Sequence, residues 1–147
     1  MIKRDVLISS DKPDVRYRKD DAAAISVDLI QQLLEIINRQ SYELPIDISV
    51  DQVKSGGLFN SSVEDCVIIT NTEHPMDYFK YCLILQKQGK MAYLRKWYYG
   101  NSTLTRKSAQ NGGRGGFLGF GGVNQAAFDA EYNYYDMLDE LIQEAVG

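Results

Sequence analysis

Two periods of apolar and polar positions run through this chain. In "AAAISVDLIQQLLEIINRQ" the polar residues Asp28, Gln31, Gln32, Glu35, Asn38 and Arg39 recur at spacings of three and four. Ile25, Val27, Leu29, Ile30, Leu33, Leu34, Ile36 and Ile37 fill the rest, which predicts a helix over about 21–40, capped by Asp20 or Asp21. Its apolar surface is wider than one stripe, so it is expected to meet a sheet and a second element. The period then drops to two: Ile46, Ile48 and Val50 alternate with Asp47, Ser49 and Asp51, a strand with one wet face. "SGGLFNSS" reads as a turn-rich connector, "VEDCVIIT" as a more buried strand and "NTEHPMD" as a loop. Two β-rich runs follow over 78–99, and Gly89 between them suits the positive-φ position of a hairpin. A last helix is predicted over about 124–145, with Ala127, Tyr134, Tyr135, Leu138, Leu141, Ile142 and Ala145 on its apolar face. Near the start, Asp5 to Ser9 is a candidate short strand, and Pro13 makes "SSDKPDVRYRKDD" a loop.

Helices that bracket a run of strands argue for an α+β fold with an antiparallel sheet of three to five strands. The alternative is a strongly curved sheet wrapping the first helix, close to a half-barrel. With 147 residues, 44 % of them apolar and 24 % charged, the chain reads as one globular domain over 1–147. The first apolar run is too short for a signal-peptide core, and no stretch approaches the roughly 18 apolar residues of a membrane span. A cytoplasmic protein without a membrane partner is the expectation. Cys66 and Cys82 sit in apolar runs and are expected to be reduced core residues.

The segment 108–123 is glycine-rich, and seven of the chain's twelve glycines lie between Asn111 and Asn124. It lacks the Gly-Lys-Ser/Thr of a phosphate loop, and Gly119-Phe120-Gly121 does not continue into a dinucleotide fingerprint. A flexible connector is the favoured reading. Arg114, Phe117 and Phe120 would then be its contact residues, and an exposed patch of that kind suits a protein partner.

Charge changes the picture more. The net charge of −4 conceals a strong polarity, because no Asp or Glu occurs from Tyr78 to Phe128 while eight basic residues do. From Asp129 to Gly147 there are six acids and no base. Aromatic residues interleave with the basic stretch, and Tyr93, Arg95, Trp97 and Tyr99 share one face if the strand alternates. Lys87, Lys90, Arg95, Lys96, Trp97, Tyr98 and Tyr99 are accordingly the candidate binding residues, together with Arg114, Phe117 and Phe120. Two uses compete with a purely structural one, in which the basic strand matches the acidic terminal helix. Docking of a protein is the first use, with a homo-oligomer as one form of it, since polarised fields orient partners. Single-stranded nucleic acid, stacked on the aromatics and neutralised by the bases, is the second.

Catalytic signals are weak. Cys66 with the single histidine, His74, is the one nucleophile–base pairing available, and an apolar strand is a poor place to activate a thiol. Asp47 and Asp51 read as a solvated strand face rather than a divalent-ion site. No catalytic residue, metal or cofactor is expected. The sequence points to a non-catalytic protein-interaction module of adaptor, inhibitor or immunity-like type.

Overall fold

A computed structural model describes residues 1–10, 12–74, 79–105 and 125–147. The fold is α+β, with a mixed, curled sheet. Its centre is an antiparallel meander of four strands, β4 (Ile46–Gly56), β5 (Ser61–Asn71), β6 (Lys80–Gln88) and β7 (Met91–Tyr99). Three short strands precede it: β1 (Ile2–Lys3), β2 (Leu7–Ser9) and β3 (Val15–Tyr17). Gly89 takes the left-handed conformation expected at the β6–β7 turn, at φ 58°.

Among the described residues the sheet has seven strands and one parallel pair, so the expected antiparallel sheet of three to five strands holds for the central meander and is corrected at the edges, where short strands extend it. β1 runs parallel to β4, and β2 runs antiparallel to β7 at the opposite edge of the meander. In a flat sheet those two positions would be roughly 24 Å apart, at five strand spacings. The four residues from Lys3 to Leu7 reach at most about 14 Å. The sheet therefore curls until the N-terminal segment spans both edges. Leu7 and Ile2 of that segment pack with Val53, Cys66, Ile68, Cys82, Ile84, Tyr99 and Trp97 inside the curl. Both cysteines are buried there and free, and burial beside the Cys66 thiol pushes the Cys82 thiol far up.

The curl does not wrap the first helix, so the half-barrel alternative is corrected on that point. Helix α1 (Val27–Ile37) and helix α2 (Gln125–Val146) cover the other face, where Val67, Ile69, Tyr81, Leu83, Leu94 and Tyr98 meet Ile30, Leu34, Tyr135, Leu138 and Ile142. The start of α1 is also corrected. Asp20 and Asp21 lie in a turn closed by Ala22 and Ile25 N–H groups, and the chain is extended at Ser26. Ser26 is the cap, its hydroxyl accepting from the Leu29 N–H at 3.2 Å. "SSDKPDVRYRKDD" is not wholly a loop, since Val15–Tyr17 adds β3 to β7. Asp14 bridges the gap between β2 and β3, accepting from the Lys96 N–H and from Arg95 Nε, both at 3.2 Å.

Candidate interaction site

Strand alternation divides the predicted basic aromatic cluster between two faces. Ala92, Leu94, Lys96 and Tyr98 of β7 point toward the helices; Tyr93, Arg95, Trp97 and Tyr99 point away. The predicted sharing of a face by the latter four holds, but they do not form an open platform. Tyr99 is buried inside the curl, and the Arg4 guanidinium lies 3.9 Å over the Trp97 ring while donating to Glu64 at 3.2 Å. Tyr98 stacks on Tyr81 at 5.2 Å in the helix-facing core. Lys96 is 4 % exposed and its ammonium lies 3.4 Å from Asp139 of α2. Arg95 is exposed and held by Asp14. Part of the basic strand is thus matched inside the molecule, in the case of Lys96 by the acidic terminal helix.

Asp139 joins a polar network between helix and sheet. Its Oδ1 accepts from the Tyr81 hydroxyl at 3.1 Å as well as facing Lys96, and Ser10 lies 3.1 Å from the same hydroxyl. Lys12 closes the outer end, 2.5 Å from Asp136 and 4.0 Å from Asp139. Burial holds the Asp139 carboxyl above its ordinary range, even though Lys96 and Lys12 pull the other way. Burial and the nearby Asp139 charge push the Tyr81 phenol far up.

Lys87 and Lys90 are the predicted residues that remain exposed at one end of the sheet, and the structure puts a feature there that the sequence reading passed over. In an antiparallel meander the β4–β5 and β6–β7 turns fall at the same end. β5 pairs with β6 only over Cys66–Thr70, whereas β4 and β5 stay paired as far as Gly56 and Ser61. Above Cys66 the two hairpins part, leaving a cleft of about 480 Å³ lined by Val63, Glu64 and Asp65 on one side and Leu85 to Gln88 on the other. The β4–β5 hairpin forms an arm, and at its tip Leu58 is 96 % and Phe59 102 % exposed. Gly56, at φ 89°, turns the chain against the Asn60 carbonyl, where a Cβ would collide. Lys54 on the arm and Lys87 and Lys90 on the neighbouring turn are exposed and make no ion pair among the described residues. The available signal was Leu58-Phe59 standing between Gly-Gly and Asn-Ser-Ser, two large apolar residues with no periodic partner to bury them.

Arg114, Phe117, Phe120 and the glycine-rich segment lie outside the described residues. Cys66 and His74 are not brought together: Cys66 is buried in the middle of β5, and His74 follows the strand's far end, roughly 17 Å along at the strand rise. Among the described residues no group of three or more His, Cys, Asp or Glu side chains is placed to hold a metal ion. No described helix is long and apolar enough to cross a membrane. No protein-family model, curated protein or solved structure matches this chain.

Proposed function

We propose that this protein is a protein-interaction module whose contact surface is the end of the sheet bearing the arm tip and the β6–β7 turn. The observation that carries the reading is the complete exposure of Leu58 and Phe59 at the turn of the β4–β5 hairpin, beyond the last pairings of β4 with β1 at Lys54 and of β5 with β6 at Cys66. Two adjacent large apolar side chains left in water cost free energy that burial against a partner recovers, and aromatic residues are the usual anchors of interfaces. Lys54 on the same hairpin and Lys87 and Lys90 at the β6–β7 turn put exposed positive charge at the same end of the sheet. Relative to the sequence reading, the surface moves from the face of β7 to the hairpin ends, because Lys96 and Tyr98 are committed to the core and Trp97 to Arg4.

The test is photo-crosslinking from the tip. A benzophenone amino acid replaces Phe59, with Gln40 on the exposed end of the first helical segment as the control position. Discrete protease-sensitive adducts from position 59 and none from position 40 are expected. Adducts removed by nuclease would support nucleic acid as the partner, and equal adducts or none at the two positions would sink the reading.

A further inference from the structure

We propose that one partner of the arm is a second copy of this chain, docked tip to helix: the arm of one copy seats on the outward face of α2 of the next. The inference rests on the interaction reading above and adds an occupant to it. The outward face of α2 carries Asn133, Met137, Glu140 and Glu144 at helical spacing, with Met137 43 % exposed. Glu140 has no ion-pair partner among the described residues, and Glu144 accepts only from the Tyr42 hydroxyl at 2.7 Å. The end of the sheet that bears the tip offers the complement, apolar Leu58 and Phe59 with exposed Lys54, Lys87 and Lys90 at the same end. Met is an adaptable contact for an aromatic ring, and its thioether favours a ring edge.

Charge sign selects this geometry over the symmetric ones. Tip against tip brings two sets of lysines together, and helix against helix brings two sets of carboxylates together. Tip against helix opposes the signs. That contact is heterologous, joining different patches of the two copies, so it leaves a free tip and a free helix at the ends of any chain of copies. Two anchors supply only a few hundred Å² against the roughly 800 Å² per partner of a standard interface, so association is expected to be weak, concentration-dependent and weakened by salt.

Sedimentation velocity of the full chain at rising concentration, in 20 mM and 500 mM salt, reads the association. Two variants make the test directional. Leu58→Ser with Phe59→Ser removes the tip, and Met137→Ser with Glu140→Lys and Glu144→Lys removes the helix patch. All five positions are solvent-exposed, and circular dichroism confirms that each variant folds. Wild type is expected to form dimers and larger species at low salt. Each variant alone is expected to stay monomeric, while an equal mixture forms a dimer that goes no further, because one intact tip meets one intact helix. A wild type that is monomeric throughout, or a mixture that is no larger than its parts, would overturn the proposal. Position-specific adducts to other proteins from residue 59 alongside a monomeric wild type would leave the interaction reading standing without self-association.

Discussion

Replacing Lys96 tests whether the helix–sheet network is held by its ion pair or merely tolerates it. Lys96→Met keeps the length of the stem and removes the charge that faces Asp139 at 3.4 Å. At that distance the pair attracts by roughly 5 kcal/mol for an effective dielectric constant near 20. Desolvating each ion costs several kcal/mol in return, so the net worth of the pair is small, whereas stripping one partner from the other costs about 3–5 kcal/mol. The Asp139 carboxyl is already held above its ordinary range by burial, so the variant leaves it worse placed, with Tyr81 as its remaining short contact and Lys12 at 4.0 Å. We expect Lys96→Met to lose about 3 kcal/mol at pH 7. In urea unfolding followed by circular dichroism that is a midpoint shift of about 1–3 M. The pH dependence has a definite sign. A carboxyl whose folded pKa is raised binds its proton more tightly in the folded state, so its favourable contribution is present at low pH and is lost as pH rises through the folded value. Without Lys96 that rise is larger, and the variant's deficit should shrink on acidification from pH 7 toward the ordinary carboxylate range. Adding Asp139→Asn removes the stranded charge and keeps an oxygen for the Tyr81 hydroxyl. The double variant should therefore return to within about 1 kcal/mol of wild type. A double variant as unstable as the sum of the two singles, or a deficit that ignores pH, would refute the ion-pair argument.

Gly56→Ala should destabilise the arm by about 1–3 kcal/mol, since the new Cβ meets the Asn60 carbonyl at a left-handed φ; faster amide exchange confined to the β4–β5 turn checks it. Glu131 is fully buried and accepts from the Thr103 N–H at 2.8 Å and the Leu104 N–H at 3.4 Å. Glu131→Ala leaves both donors unpaired at about 1–3 kcal/mol each, whereas Glu131→Gln keeps an acceptor and should cost less; urea midpoints that rank the two the other way would count against the hydrogen-bond account. Arg4→Ala removes the cover of Trp97 and the bond to Glu64, and should cost about 1–2 kcal/mol. Trp97 is the only tryptophan, so a red-shifted emission and readier acrylamide quenching report the opening directly, and unchanged emission would deny Arg4 that role.

What the sequence disclosed and what it withheld divide along the range of the interactions. Periodicity located α2, the β6–β7 hairpin and the positive φ at Gly89 because those signals are local: each depends on neighbours within about seven residues. The start of α1 slipped to Ser26 because Asp20, Asp21 and Ser26 are all competent caps, and the choice among them falls to packing around Val27 and Ile30. Of the three short strands, β2 falls within the candidate strand Asp5 to Ser9, whose first two residues are helical instead; β1 and β3 are too short to show a period and pair at the edges of β4 and β7. Of the three readings attached to the acid-free stretch, the internal match holds for Lys96, and the period-two rule contained the hint: Lys96 shares its side of β7 with Leu94 and Tyr98, so a lysine there needs an anion in the core. Which carboxylate would supply it is a tertiary fact, set by how α2 lies across the sheet.

The arm poses the opposite case. Leu58 and Phe59 were visible as apolar residues in a turn, and their meaning depended on whether any other element reached them. Had β5 paired with β6 along its whole length, the two hairpins would lie side by side and neighbours could have sheltered the tip. The pairing of β5 with β6 stops at Cys66 and that of β4 with β1 at Lys54, so the turn beyond them has no strand beside it, and α1 begins only at Val27. An apolar pair that no part of the described molecule covers is the kind of surface that gains by burial against a partner, which is the ground of the interaction proposal. The same polarity that took Lys96 out of solvent, opposite Asp139, leaves Glu140 and Glu144 exposed on the outward face of α2, where neither has an ion-pair partner among the described residues.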